Sequence, residues 1–252
     1  MPNSTISTVT LDWGDTLVVN WGMPYIATQR AALSRLAEDL TTLGHRPPEG
    51  WVQRCVDDIA VQWKASTDPV ANPEGREIDM AAMAVKWVAE TGAEARDAQV
   101  RAAIMRCDDR FTDSVLLFAE TAPTLAELKR RGLRVGILSH VPWPGDACRR
   151  WFVRHDLARF VDFYSLSSEI GWIKPHPAHY QHALDQAGCA VHQILHVGDH
   201  PLRDVEGGKR FGFRTCLRWT ENIYPQDVLT ASQPDTVILQ LADLPGAIDR
   251  LG

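Results

Sequence analysis

From Ser114 onward the chain alternates short β-branched runs with amphipathic segments that stop at glycine, and no other feature narrows its possible folds as far. Thr121 to Arg131 predicts a helix ending at Gly132, Leu133 to Ser139 a buried strand, Asp146 to His155 a helix and Val161 to Leu166 a short strand. Pro177 to Ala187 then predicts a helix stopped by Gly188, Ile194 to Val197 a strand, Asp204 to Phe211 a helix stopped by Gly212, and Arg214 to Leu217 a strand. Val237 to Leu241 reads as an edge strand before a short terminal helix. Strands separated by helices pair in parallel, with helices covering both faces of the sheet.

A further strand stands at the other end of the chain. Ile6 to Val18, ISTVTLDWGDTLV, is β-rich and apolar up to Asp12, then turns through Trp13-Gly14-Asp15-Thr16. An acid at the carboxyl end of a buried strand lies at the crevice where open α/β sheets bind ligands, which makes Asp12 a candidate nucleophile. Read alone, Asp-x-Gly-Asp is equally ordinary turn chemistry. Between this strand and Ser114 the pattern is helical: Tyr25 to Leu43 stops at Gly44, and further segments follow at about Glu49 to Trp63, Ile78 to Thr91 and Ala95 to Arg110. Ser66 to Gly75 is a loop rich in Pro, Asn and Asp, and no strand is evident from Trp21 to Asp113. The expected architecture is α/β: a Rossmann-like parallel-sheet core from residues 1–18 and 114–252, with an all-helical cap domain, residues 19–113, inserted.

With 252 residues the chain can bury a sizeable core, and its net charge of −6 favours neither nucleic acid nor an anionic membrane as partner. The N-terminal stretch lacks a basic segment followed by an apolar run, and no later run spans a bilayer, so a cytoplasmic protein is expected, as monomer or homodimer. Five scattered cysteines argue against a disulfide framework and read as small buried hydrophobes. His176, His179 and His182 wind only partly around one helix face with no cysteine or carboxylate to complete a zinc set. Lys129-Arg130-Arg131 complements a helix dipole better than it makes a nucleic-acid patch.

Four strand ends now bring polar groups to one crevice: Asp12, Ser139, Lys174 in the loop after the third strand, and Asp199 after Leu195-His196-Val197-Gly198. A carboxylate nucleophile, a hydroxyl, a lysine and a second carboxylate are what a magnesium-dependent phosphoryl-transfer site requires. The segments Leu11-Asp12-Trp13-Gly14-Asp15-Thr16-Leu17, Gly136-Ile137-Leu138-Ser139-His140, Gly171-Trp172-Ile173-Lys174-Pro175-His176-Pro177 and His196-Val197-Gly198-Asp199-His200-Pro201-Leu202-Arg203-Asp204 resemble, in order, the motifs of the haloacid dehalogenase-like hydrolase superfamily, in its helical-cap branch.

The resemblance implies Mg²⁺-dependent hydrolysis of a small phosphorylated metabolite. Asp12 would form an aspartyl-phosphate, and Mg²⁺ would be held by Asp12, the Gly14 carbonyl and Asp199. Ser139 would bond a phosphate oxygen, Lys174 would supply positive charge, and Asp204 would steady the lysine or the metal waters. The pattern departs from the family at Gly14, where phosphatases carry a second Asp as general acid/base, a contribution of roughly 10²–10⁴ in rate. Asp15 is the nearest replacement, but neighbours on a tight helical turn point about 100° apart, and bonding to the turn's own amides suits it better. Two alternatives stand: a catalytically weakened phosphate-binding or regulatory protein, and a phosphonatase-type carbon–phosphorus hydrolase, which needs a cap lysine, Lys64 or Lys86. The dehalogenase reading is weakened because Asp199 and Asp204 are both retained. Trp21 or Tyr25, where the chain leaves the site, is expected nearest the substrate; His140 and His200 could line the pocket, and Trp51, Trp63 and Trp87 read as cap core.

Overall fold

The structure is a computed structural model that describes residues 5–20, 22–220 and 224–251. The chain begins with Thr8–Leu11 (β1), passes through Val18–Val19 (β2) and runs into four helices, Tyr25–Thr42 (α1), Trp51–Thr67 (α2), Met80–Ala89 (α3) and Ala98–Phe111 (α4). It returns through Leu116–Leu117 (β3) to Thr121–Arg130 (α5), Arg134–Ser139 (β4), Gly145–Arg154 (α6), Phe163–Leu166 (β5) and the single turn Ser167–Ile170 (α7). Pro177–Ala187 (α8), Ile194–Gly198 (β6), Gly207–Phe211 (α9), Arg214–Arg218 (β7), Gln226–Ser232 (α10), Thr236–Ile238 (β8) and Leu244–Leu251 (α11) follow.

The expected α/β class is what forms: a six-stranded sheet in the order β5-β4-β1-β6-β7-β8, every neighbouring pair parallel. Strand periodicity sorts its side chains to two faces. Val9, Leu11, Val135, Ile137, Leu195 and Val197 enter one hydrophobic cluster with Leu125, Trp151, Phe152 and Leu244, contributed by α5, α6 and α11. Leu138, Phe163 and Ile194 enter another with Tyr180 and Ala183 of α8. That helix is punctuated as its sequence demands, with His176 capping, Pro177 in the first turn and Gly188 at φ 62° ending it in the left-handed region.

Two local features depart from expectation. β2 and β3 pair antiparallel, with Val18 opposite Leu117, at the place where the chain leaves and re-enters the core. Two residues per strand carry no readable period. The helix expected from Asp204 starts instead at Pro201 as a π-helical turn through Glu206. The wider turn accompanies the return of the Asp204 carboxylate beneath β6, where a Cβ on Gly198 would lie 2.1 Å from Asp204 Cγ.

The four inserted helices bury their own core, including Leu33, Leu36, Leu40, Trp51, Cys55, Trp87 and Phe111. Trp51 Nε1 donates to the Trp87 carbonyl at 3.0 Å and Trp87 Nε1 to Asp58 at 2.9 Å, so both indoles are internal to this bundle. The loop between α2 and α3, expected as plain connection, reaches the core. Ile173 N donates to the Gly75 carbonyl at 2.8 Å and Glu77 N to the Gly171 carbonyl at 3.1 Å, an antiparallel bridge onto the loop that carries Lys174.

Candidate active site

β1 lies between β4 and β6, and all three point their carboxyl ends at one cavity of about 650 Å³. A central strand with neighbours on both sides has its backbone satisfied in the sheet, so the residue after it is fixed in position. Asp12 N donates to the Val197 carbonyl at 2.9 Å, continuing the ladder one step past Leu11. Asp12, Trp13, Gly14 and Asp15 line the cavity with Lys174, Asp199, His200, Arg203 and Asp204.

Lys174 is 1% exposed, and its ammonium touches three acceptors: Asp12 Oδ1 at 3.0 Å, the Leu138 carbonyl at 3.0 Å and Asp204 Oδ1. An ammonium has three donors, so all are committed. Burial works against its charge, but the Asp12 and Asp204 carboxylates outweigh that and hold it above the ordinary lysine range. Burial likewise opposes ionisation of Asp204, but Lys174 and His196 prevail and keep its carboxyl far below the usual range. Asp204 also accepts from His200 N at 2.9 Å and faces His196 Nε2 at 3.1 Å. His196 Nδ1 in turn lies 3.0 Å from Thr10 Oγ1 on β1. Thr10, His196, Asp204 and Lys174 thus form a fully buried polar chain ending at Asp12.

Asp199 behaves oppositely. Burial, then the charges of Asp204, Asp12 and Asp15, push its carboxyl well above the ordinary range, with Lys174 offsetting only part. Among the described residues its hydrogen-bond donor is Tyr224 Oη at 3.2 Å. Oxygens of Asp12, Asp199 and Asp204 lie within 4.8 Å of one another, so a buried carboxylate short of positive charge faces two more. Hard oxygen donors crowded in this way fit a small divalent cation such as Mg²⁺.

The other expected residues are placed as follows. Ser139 is 1% exposed, lies outside the cavity lining, and its hydroxyl accepts from Trp13 N at 3.4 Å. Asp15 lines the cavity at φ 51°; its Oδ1 accepts from Asn20 N at 2.8 Å and its carbonyl from Arg218 at 2.7 Å. Its carboxylate therefore braces the turn. His140, His200 and Tyr25 line the cavity, whereas Trp21 lies outside the described residues. Lys64 and Lys86 are absent from the described lining.

Trp63, Asn20, Arg203 and Tyr224 line the cavity although none was assigned to the site from the sequence. Trp63, read as cap core, is 44% exposed and stacks on His140, ring centroids 5.2 Å apart. Asn20 fills space beside Gly14: a Cβ there would meet its Cγ at 3.2 Å. The Tyr25 hydroxyl donates to the Asn20 side chain and, at 3.1 Å, to its carbonyl. Arg203 and Tyr224 complete the set. Arg203 sits inside a recognised motif, and its place there was the one available signal; Asn20 and Tyr224 have none.

Comparison with known proteins places the chain among hydrolases. A phosphoserine phosphatase of Thermus thermophilus is 34% identical over 130 residues, 51% of this chain and 48% of that protein, so the chain spans about half the length of that relative. A phosphoglycolate phosphatase of Pectobacterium atrosepticum is 28% identical over 174 residues, covering 66% of this chain and 69% of that one. Among solved structures, a 2-haloacid dehalogenase from Pseudomonas syringae pv. Tomato DC3000 superposes with a TM-score of 0.65 at 25% identity, covering 98% of this chain and 100% of the other. The family model for haloacid dehalogenase-like hydrolases matches residues 6–212, and the chain therefore belongs to that hydrolase family.

Proposed function

We propose that the protein is a Mg²⁺-dependent phosphatase of a small phosphorylated metabolite, working through an aspartyl-phosphate on Asp12. One observation carries the reading. The Asp12 carboxylate sits at the cavity floor with one oxygen held 3.0 Å from a buried, charged lysine and with Asp199 as an under-compensated neighbour. Lys174 has no donor to spare, so it acts by fixing Asp12 and by its charge. The helices of residues 19–113 serve as the cap that roofs the cavity.

Asp12 attacks phosphorus, the bond from phosphorus to the ester oxygen breaks, and the leaving oxygen takes a proton from solvent water; a second water then attacks phosphorus, gives up its proton to solvent, and releases phosphate, freeing the carboxylate. Asp12 and Asp199, with the Gly14 carbonyl, would hold the cation, since Asp204 already serves Lys174, His196 and the His200 amide. When bound, the metal neutralises charge on the transferring group. Ser139 accepts from the Trp13 amide, which leaves its O–H to donate to a phosphate oxygen as its motif implies. The bracing of Asp15 leaves no dedicated acid at the turn, which fits a substrate whose leaving group needs little protonation. The carbon–phosphorus alternative loses support, since neither cap lysine lines the described cavity.

The test is a panel of phosphate esters, with a 2-haloacid included, assayed with and without Mg²⁺. Wild type should hydrolyse at least one ester only with the metal, and Asp12→Asn should lose about 10³-fold or more. Mg²⁺-dependent phosphate binding without turnover would instead favour a regulatory protein, and metal-independent halide release would favour a dehalogenase.

A further inference from the structure

Arg203 is the lining group for which the proposed mechanism has no use. Its guanidinium offers five N–H donors and accepts nothing. Among the described residues it has no carboxylate partner, and its one side-chain bond runs from Nη1 to His140 Nδ1 at 3.3 Å. Because arginine can only donate, His140 Nδ1 accepts and the imidazole proton sits on Nε2. That nitrogen faces Glu77, 3.1 Å from Oε2 and 3.3 Å from Oε1.

Glu77 comes from the inserted region, and its side chain is 1% exposed. It also takes the Ser167 hydroxyl and the Ile78 amide, at 2.7 Å, so its position is fixed from both sides. Trp63 stacks on the same His140 ring. Arg203 is thereby drawn to His140, which the inserted region holds through Glu77, while Asp12 is held by Lys174. A half-buried cation with spare donors, aimed by a buried acid through a histidine, is built to meet an anion.

We propose that Arg203, oriented by the Glu77–His140 pair, binds a carboxylate on the organic part of the substrate, so that the substrate is a phosphate ester carrying a second anionic group. This deepens the phosphatase reading and rests on it for the seat of the phosphoryl group. The phosphoryl end lies over Asp12, the carboxylate meets the guanidinium fork, and Trp63, Ile59, Tyr25 and Trp143 supply apolar wall between them. Glu77 and His140 are positioning residues: His140 bonds Arg203 directly, and Glu77 acts on it through His140.

Two non-hydrolysable probes separate the outcomes: 3-phosphonopropanoate and propylphosphonate, titrated calorimetrically with Mg²⁺ present. Wild type should prefer the carboxylated probe by about tenfold or more, the size of one charge-assisted bond. Arg203→Met should bring the ratio within about twofold of unity, the carboxylated probe losing far more affinity than propylphosphonate. Glu77→Gln should lower the ratio part of the way. Should Arg203→Met fail to fold, Arg203→Lys, which keeps the charge and loses the fork, should reduce the preference several-fold. No preference in wild type, or equal loss of both probes in Arg203→Met, overturns the assignment. Hydrolysis of esters without any preference sinks this site alone; preference without hydrolysis of any ester sinks the hydrolase reading alone; binding of neither probe sinks both.

Discussion

At Gly14 a single missing side chain decides what chemistry the turn can do. Its space is taken by Asn20, which is anchored by the Tyr25 hydroxyl and stands 3.2 Å from where a Cβ would be. Gly14→Asp alone should therefore leave turnover of an alkyl phosphate unchanged or lower. Gly14→Asp combined with Asn20→Ala should raise kcat by about 10²-fold, the low end of what a positioned acid contributes. Equal gains in the single and double variants would show that Asn20 is no obstacle. Asp15 could not have been judged from the sequence: adjacency to Gly14 and Asp12 suggests chemistry, but its backbone at φ 51° and its bond to Asn20 N turn it into a brace.

Helix α4 carries a charge in the wrong place. Burial raises the Asp108 carboxyl to about 7, with Arg150 offsetting part and Asp109 adding to it. Its folded pKa therefore lies above the unfolded value of about 4. Between those limits the folded state holds a proton that the unfolded chain has released, so stability falls as pH rises through about 4 to 7 and the loss is complete above. Asp108→Asn should raise Tm at pH 8 by about 2–4 °C, the size of a 1 kcal/mol change in a chain of this length, with no gain at pH 4. A gain of equal size at both pH values would point to packing instead of charge. Elements such as α1, α5 and α8 were legible because period and glycine stops agree over ten or more residues. β2, β3 and the π-helical turn were not: each is too short for a period, and each exists only because distant residues hold it.

The whole molecule gathers three carboxylates at the mouth of its central strands, and under the proposed function a divalent cation would offset their repulsion. Mg²⁺ at about 100 times its Kd should stabilise the protein by about 2.7 kcal/mol and raise Tm by roughly 5–10 °C. Asp199→Asn should abolish that rise, and without metal it should melt above wild type, because it relieves burial and the repulsion from Asp204, Asp12 and Asp15. A variant that melts below wild type without metal would mean that Asp199 is satisfied by protein donors alone.

What the sequence determined by itself was the class of fold and the four segments that meet. Both are written in local signals, a repeating apolar period and residues fixed at strand ends, where backbone geometry leaves little choice. Tertiary structure alone decided which groups in those segments have donors to spare. Lys174 is saturated by Asp12, Asp204 and Leu138, Ser139 accepts from the Trp13 amide and keeps its O–H, and Arg203 is left open because Glu77, over a hundred positions earlier in the chain, takes the far side of His140. Hydrogen-bond saturation depends on every neighbour in space, and most of these neighbours are remote in sequence.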